Sequence, residues 1–332
     1  MNNLGLLLHD EGDTDGARTW WQRAADAGDT SAMNNLGLLL HEEGNTHGAR
    51  TWYARAADAG DTSAMNNLGL LLHDEGDTDG ARTWWQRAAD AGDTSAMNNL
   101  GLLLHDEGNT HGARTWYARA ADAGDTSAMN NLGNLLHDEG DTHGARTWYA
   151  RAADAGFAGA VYNLGLLLHD EGDTDGARTW WQRAAGAGDT SAMNNLGNLL
   201  HDEGDTHGAR TWWQRAADAG DTSARNNLGL LLYDEGDTDG ARTWWQRAAG
   251  AGDTSAMNNL GLLLHDEGDT DGARTWWQRA AGAGDTSAMN NLGNLLHEEG
   301  DTHGARTWYT RAADTGHISA AVALSTPNDA EM

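Results

Sequence analysis

Histidine and carboxylate side chains recur at a fixed spacing along this chain, and their types suggest metal chemistry. In five places the pattern is His-acid-Glu-Gly-Asp/Asn-Thr-His, for example from His137 to His143. Two imidazoles and several carboxylates within seven residues are the ligand types that hold Zn²⁺ or Ni²⁺. The second histidine of these turns is His47, His111, His143, His207 or His303.

The same turns also resemble the beginning of a calcium-binding loop. In the first copy, residues 11–16 place acids at alternate positions and end on glycine. Such a loop needs a bidentate Glu at its twelfth position, where this chain has Gln22 or, in the second copy, Ala54. Helix-start signals explain Asp13 as an N-cap and Asp15 as a first-turn anion. We therefore expect no metal and no cofactor, and a metal- or cation-binding role of the turns stays an alternative.

The turns belong to a tandem repeat of 32 residues, whose first copy reads MNNLGLLLHDEGDTDGARTWWQRAADAGDTSA. A fixed period of this size predicts a solenoid, in which each unit buries its apolar face against its neighbours. We expect one solenoid over residues 1–320 and a C-terminal capping tail over 321–332. The ten predicted units are 1–32, 33–64, 65–96, 97–128, 129–160, 161–192, 193–224, 225–256, 257–288 and 289–320.

Two glycine-containing turns divide each unit into two helices of about 14 residues. In the first unit they are Gly12-Asp13-Thr14 and Gly28-Asp29-Thr30. Glycine favours the left-handed position just after a helix, and Asp is a strong N-cap for the next one. In the second unit, helix A is predicted over about 30–43, with Met33, Leu36, Gly37 and Leu40 at helical spacing, and helix B over about 46–59. We assign the paired aromatics of helix B, such as Trp20 and Trp21, to the core. No segment alternates with a period of two, so the fold class is all-α.

These residues resemble the tetratricopeptide signature, which is a large residue, Leu-Gly, then large, small, aromatic and small residues. Here they are Met33, Leu36, Gly37, Leu40, Ala49, Tyr53 and Ala56. The segment A-R-T-W-Y-A-R-A-A-D-A-G-D-T-S-A is also similar to helix B of the Sel1-like subclass. The resemblance covers all ten units and implies an α-solenoid, or superhelix, of helix-turn-helix repeats. The unit is shorter than the 34 residues of the family, and it lacks the insertion usual between Sel1-like helices.

The resemblance implies that helix A lines a concave groove that binds a protein or peptide. The second, sixth and ninth residues of each unit then face the groove, and their spacing independently places them on one helix face. The sixth residue is Leu in seven units and Asn in three, which is unusual for a deeply buried position. The asparagine side chains could hold the backbone of an extended peptide through paired hydrogen bonds. The candidate groove residues are Asn34, Leu38, His41, Asn66, Leu70, His73, Asn98, Leu102, His105, Asn130, Asn134, His137, Asn194, Asn198, His201, Asn226, Tyr233, Asn258, His265, Asn290, Asn294 and His297.

Charge restricts the partners of this groove. The net charge is −29, and every cation except the histidines is an arginine, because lysine is absent. We therefore expect a basic or neutral protein or peptide rather than a nucleic acid or an anionic membrane. Every unit carries its two Arg on helix B, and the lone exception is Arg225, which replaces a core-facing Met, so a carboxylate clamp on helix A is not expected.

The repeat pattern also bears on catalysis and assembly. Almost every polar residue recurs about ten times in equivalent settings, whereas an active site is a single asymmetric set of groups, so we expect no enzyme. Self-association through the ends of the solenoid is a third possibility, because identical units can imitate each other's neighbours. The chain has no apolar run of membrane-spanning length and no signal peptide, which predicts a cytoplasmic protein.

Two places depart from the regular pattern. At the junction of the fifth and sixth units, Phe157 replaces the capping Asp and Tyr162 replaces the groove Asn. We expect the first turn of the following helix to fray, or the superhelix to bend there, because a lost N-cap costs about 1 kcal/mol. Residues 318–332 are predicted to begin an eleventh helix A that covers the last helix B.

Overall fold

The computed structural model describes residues 1–315, and within that range it contains twenty α-helices and no strand. This confirms the predicted all-α fold of helix-turn-helix repeats. The predicted capping tail lies outside the described residues. The chain divides into two compact units, residues 1–167 and residues 168–332. The prediction of one solenoid over 1–320 stays a prediction.

Odd-numbered helices correspond to helix A of the repeat and even-numbered helices to helix B. The first compact unit contains α1 Asn2–Asp10, α2 Thr14–Asp26, α3 Thr30–Glu42, α4 Thr46–Asp58, α5 Thr62–Asp74, α6 Thr78–Asp90, α7 Thr94–Asp106, α8 Thr110–Asp122, α9 Thr126–Asp138 and α10 Thr142–Asp154. The boundary between the units falls within α11 Ala158–Asp170. The second compact unit contains α12 Thr174–Gly186, α13 Thr190–Asp202, α14 Thr206–Asp218, α15 Thr222–Asp234, α16 Thr238–Gly250, α17 Thr254–Asp266, α18 Thr270–Gly282, α19 Thr286–Glu298 and α20 Thr302–Asp314.

The turns between helices are short because one aspartate both closes the end of one helix and caps the start of the next. Gly12 follows α1 with a φ of 82°, in the left-handed region that glycine favours. The N–H of Asp13 donates to the Leu8 carbonyl at 2.8 Å and closes the end of α1. The carboxylate of the same Asp13 accepts from the Gly16 N–H at 2.9 Å and caps α2. The glycine and aspartate of the turn therefore end one helix and begin the next.

Within a repeat, a glycine of helix A lets an aromatic ring of helix B approach the backbone. A Cβ atom at Gly37 would lie 2.5 Å from the ring of Tyr53, which is 1% exposed. Trp85 lies against Gly69 in the same way. Alanines of helix B, such as Ala49 and Ala56, are fully buried around these rings. The second aromatic of each helix B is therefore the centre of the repeat core, as the sequence predicted.

Leu39 shows how each repeat uses its neighbour. The Leu39 side chain is 3% exposed. Sequence spacing predicts Leu40 as the residue on the buried face, but Leu40 is only half-buried. The equivalent Leu7 of α1 is 53% exposed, so the preceding repeat supplies the burial of Leu39. Seen from one repeat alone, this leucine lies outside the predicted apolar face.

Ion pairs between consecutive repeats reinforce this stacking. The first Arg of one helix B contacts the Glu that ends helix A of the next repeat, as in Arg50–Glu75 and Arg114–Glu139 at 3.2 Å. These side chains are 33–50% exposed, so each pair contributes at most about 1 kcal/mol. The other pairs of this kind are Arg18–Glu43, Arg82–Glu107, Arg178–Glu203, Arg210–Glu235, Arg242–Glu267 and Arg274–Glu299.

The irregular junction keeps the helix but not its cap. Helix α11 begins at Ala158, which is the position equivalent to Thr30 and Thr190. The Phe157 side chain has no acceptor atom, and its ring lies 3.0 Å from where a Cβ at Gly159 would be. The backbone carbonyl of Phe157 still accepts from the Ala160 N–H at 3.1 Å. The predicted fraying stays a prediction, because it concerns opening of a turn that is formed in the structure.

We expect Gly37→Ala to lower the local free energy of unfolding by about 1–3 kcal/mol, because the new methyl group overlaps the Tyr53 ring. Native-state hydrogen exchange of the substituted repeat, which is α3 and α4 for Gly37→Ala, measures this change in free energy. Gly186→Ala is the matched control, since nothing lies within 4 Å of its Cβ position, and it should be neutral or stabilise by up to about 1 kcal/mol. Equal effects of the two substitutions would contradict the close approach.

We expect Phe157→Asp to slow hydrogen exchange at residues 158–161 several-fold, because Asp189 in the equivalent position accepts from the Ala192 N–H at 2.8 Å. Phe157→Ala separates the gain of a cap from the loss of the ring. Exchange in the Asp variant no slower than in the Ala variant would show that the missing cap does not limit this turn.

Candidate protein-binding face

The second, sixth and ninth residues of the repeats lie along one side of helix A, which we call the A-face. On α3, α5 and α7 its sixth-position leucines, Leu38, Leu70 and Leu102, are 39–41% exposed. Leu230 and Leu262 in the second compact unit are exposed to the same extent. Stacking of the repeats therefore leaves a large apolar side chain uncovered on each of these helices.

The second-position asparagines connect consecutive repeats. Asn67 donates from Nδ2 to Oδ1 of Asn34 at 2.9 Å, and Asn99 donates to Asn66 in the same way. The same bond recurs in the pairs Asn35–Asn2, Asn131–Asn98, Asn163–Asn130, Asn227–Asn194, Asn259–Asn226 and Asn291–Asn258. The donor is always the third residue of a unit, which sequence analysis did not single out. In these eight pairs the carbonyl oxygen of the second-position asparagine thus accepts a hydrogen bond within the protein.

Exposure of these asparagines differs between repeats. Asn130, Asn194 and Asn258 are at most 9% exposed, whereas Asn34, Asn66 and Asn98 are half-buried. The asparagine side chains predicted to line the groove are therefore not equally exposed in all repeats.

The three sixth-position asparagines accept hydrogen bonds from the core aromatic of their own repeat. The hydroxyl of Tyr149 donates to Asn134 Oδ1 at 2.7 Å, and Trp213 Nε1 donates to Asn198 Oδ1 at 3.0 Å. Tyr309 bonds to Asn294 at 2.8 Å. Where the sixth residue is Leu, Trp85 Nε1 donates to the backbone carbonyl of Asn66 at 3.2 Å, a bond that Trp213 also makes to Asn194. Asn at this position thus gives the aromatic beneath it an acceptor, whereas with Leu the indole N–H bonds only to the backbone, as in Trp85, or has no partner within residues 1–315, as in Trp21 and Trp181.

The ninth-position side chains lie at the exposed end of the A-face. The imidazole of His73 contacts the Trp85 ring with a centroid distance of 5.6 Å, and His201 contacts Trp213 at 5.4 Å. Carboxylates adjoin these rings, with His9 Nε2 lying 3.8 Å from Glu42 Oε2. The Asp or Glu at position 10 of the repeat has no arginine partner on helix B in the described residues, whereas the Glu at position 11 has one. The A-face therefore has an acidic rim.

Helix B carries a second regular surface. The first aromatic of each pair is half-buried, and the arginine three residues later lies over its ring, as Arg55 does over Trp52 at 4.2 Å from the centroid. All ten repeats show this stack, with distances of 4.2–5.2 Å. The prediction that both aromatics belong to the core therefore holds fully for the second one only, and the Trp-x-x-Arg spacing indicates the cation–π contact of the first.

The histidines and carboxylates of the turns are spread apart in the described part of the chain. Across residues 1–315, no three His, Cys, Asp or Glu side chains are grouped so that they could hold one ion. The structure therefore gives no support to the alternative of metal-binding turns. Nor does any helix in that range have the length and apolar character needed to cross a membrane.

The repeat family follows from comparison with known sequences. The tetratricopeptide repeat model matches residues 2–64, 66–128, 130–192, 162–224, 194–256, 226–288 and 259–318. The chain belongs to the tetratricopeptide repeat family. The comparison of this tetratricopeptide repeat protein with curated protein sequences returned no match.

Solved structures place this tetratricopeptide repeat protein near the Sel1-like group. It is similar to c5321, a protective antigen of uropathogenic Escherichia coli with an SLR fold, at a TM-score of 0.65 and 28% identity. That alignment covers 97% of this chain and 78% of the other. A Sel1 repeat protein from Oxalobacter formigenes gives a TM-score of 0.66 at 24% identity, over 82% of this chain and 89% of the other. The second likeness shows the fold alone, and together the matches confirm the predicted tetratricopeptide-like and Sel1-like repeats.

Burial of the core tyrosines shifts their ionisation. It raises the pKa of Tyr53, Tyr117 and Tyr149 from 10.0 to about 12, and a nearby carboxylate of helix A adds to the shift. The unfolded chain ionises these groups near pH 10, while the folded chain keeps them neutral until about pH 12. The folded state thus binds more protons in this interval, and its stability falls as the pH rises through it.

We therefore expect the free energy of unfolding to decrease between pH 10 and pH 12, and less steeply in a variant with Tyr53, Tyr117 and Tyr149 changed to Phe. Urea denaturation at pH 9 and pH 11.5 measures this, and absorbance near 295 nm follows tyrosinate directly. A wild-type titration complete by pH 11 would contradict the burial of these hydroxyls.

Proposed function

We propose that this protein is a non-catalytic scaffold that binds an extended protein segment along the A-face. A protein-interaction role fits the family in general, and in that family helix A lines the concave wall. The observation that carries the proposal is the set of exposed leucines on consecutive A helices, together with the adjacent histidines. Stacking between repeats uses other side chains, so these remain available to a ligand.

Charge supports a basic partner. The Glu at position 11 is paired with Arg of the preceding helix B, as in Arg50–Glu75. Position 10 carries Glu42, Asp74 and Asp106 on α3, α5 and α7, and these carboxylates are exposed. Leu38 and Glu42 are four residues apart, so each helix presents an apolar group and an anion on the same side. A ligand with alternating apolar and cationic side chains complements this arrangement.

The test compares two variants of the full chain. In the A-face variant, Leu38, Leu70 and Leu102 are changed to Asn, which is the residue that naturally occupies this position in Asn134 and Asn198. In the B-face variant, the exposed Thr51, Thr83 and Thr115 on helix B are changed to Gln. Both variants should keep the helicity and melting temperature of the wild type, since surface changes usually alter stability by no more than about 0.5 kcal/mol.

We expect random peptides selected on the immobilised wild-type chain to be rich in Arg and Lys, and to bind less tightly as salt rises. The selected peptides should lose at least about tenfold in affinity for the A-face variant, and none for the B-face variant. Peptides that bind the A-face variant as tightly as the wild type would contradict the proposed site.

A further inference from the structure

The A-face differs from repeat to repeat, and α3, α5 and α7 share a combination that points to a particular ligand conformation. On each of these helices an exposed leucine is accompanied by a half-buried second-position asparagine. In α9 the equivalent asparagine, Asn130, is buried and the leucine is replaced by Asn134. The A helices of three consecutive repeats therefore carry the same set of groups.

Within residues 1–315, each asparagine of this set offers two free N–H donors but only one free acceptor lone pair. The Oδ1 atoms of Asn34, Asn66 and Asn98 each accept a hydrogen bond from the next repeat, at 2.9 Å. Their Nδ2 atoms donate to no other group in the described residues. A ligand on this face thus meets a row of amide donors, and it needs backbone carbonyls that are not already bonded.

The distance between equivalent groups follows from helix packing. Consecutive A helices are in direct contact through these asparagine pairs, and packed helices lie about 8–10 Å apart. A polyproline II segment rises about 3.1 Å per residue with three residues per turn. Every third side chain of such a segment therefore points the same way at intervals of about 9.3 Å, which lies within the general range for packed helices.

Other ligand conformations fit these features less well. In a β-strand, residues three apart point to opposite faces, so only every second leucine would be contacted. An α-helix repeats its direction every seven residues, at about 10.5 Å, but its carbonyls are bonded within the helix and cannot accept from Asn34, Asn66 and Asn98. A polyproline II backbone has no internal hydrogen bonds, so its carbonyls remain free.

We infer that α3, α5 and α7 bind a basic polyproline II segment with an aliphatic residue at every third position. Its aliphatic side chains lie on Leu38, Leu70 and Leu102, and its carbonyls accept from the asparagine Nδ2 atoms. Its cationic side chains reach the acidic rim formed by Glu42, Asp74 and Asp106. This inference rests on the proposed function and specifies the ligand of the same face.

The chemistry of the face also favours proline in the ligand. Proline has no N–H to donate, and one of the two lone pairs of each asparagine oxygen is already used. Proline also fixes φ near the polyproline II value, which reduces the conformational entropy lost on binding. The repeating unit of a complementary ligand is therefore aliphatic-Pro-cation.

The Leu→Asn changes of the A-face variant should preserve the fold for a specific reason. The hydroxyl of Tyr149 donates to Asn134, and Trp213 donates to Asn198. The equivalent aromatics Tyr53, Trp85 and Tyr117 lie beneath the three substituted positions. Each new asparagine can accept the same hydrogen bond, so a loss of binding reports on the lost leucine contacts.

The test uses the full chain and three fluorescent peptides, the first two of identical composition, with affinity measured by anisotropy. The first peptide repeats Leu-Pro-Arg four times. The second repeats Leu-Leu-Pro-Arg-Arg-Pro twice, which breaks the three-residue spacing. A third peptide, a stable helix, places Leu at every seventh residue and Arg beside it. We expect the first peptide to bind at least about tenfold more tightly than the second and third, and to lose at least about tenfold with the A-face variant but not with the B-face variant.

The outcomes separate this inference from the proposed function. If the first and second peptides bind equally, and both lose affinity with the A-face variant, the polyproline II register is wrong and the A-face site stands. Binding of the helical peptide at least as tight as that of the first peptide, and lost with the A-face variant, has the same meaning. No binding of the first peptide at 1 mM also overturns the inference. If the peptides bind the wild type and the A-face variant equally, both the inference and the proposed site fail.

Discussion

The contact between a glycine of helix A and an aromatic ring of helix B sets the geometry of every repeat. The Tyr53 ring occupies the space in which a Cβ of Gly37 would lie, so the two helices approach more closely than two side-chain-bearing backbones allow. Alanines on helix B complete this contact, because larger residues would separate the helices again. One side of helix A is thereby committed to the core, and its opposite side is left to face outward with leucine, asparagine and histidine. The binding face is in this sense a consequence of the core.

The asparagines connect the core, the stacking of repeats and the proposed site. At the second position, one end of the carboxamide bonds to the next repeat while the other end is available, as in Asn34 and Asn66. At the sixth position, Asn134 bonds to the aromatic beneath it, where other repeats expose a leucine to a ligand. Changing the sixth residue therefore alters the chemistry of the face with little effect on the repeat. This allows near-identical units to present different surfaces along one chain.

Features that depend on spacing within one repeat could be predicted from the sequence. The turn at Gly12 and Asp13, the helix pair and the buried Tyr53 all follow from local residue patterns. The burial of Leu39 and the bond from Asn67 to Asn34 could not be predicted in this way, because each depends on how a neighbouring repeat packs. The exposed Leu38 was predicted by its exchange with Asn in other units. Whether the A-face binds a ligand is a matter of energetics that residue spacing does not determine.

The central claim is that the ligand contacts helix A rather than helix B. The most direct measurement is an NMR titration of the full chain with the Leu-Pro-Arg peptide, observing leucine methyl groups and tryptophan indoles in one sample. The account predicts shifts of the Leu38, Leu70 and Leu102 methyl groups, with the buried Leu36 and Leu68 unchanged. Shifts confined to the indoles of Trp52, Trp84 and Trp116, which lie under arginine on helix B, would contradict it.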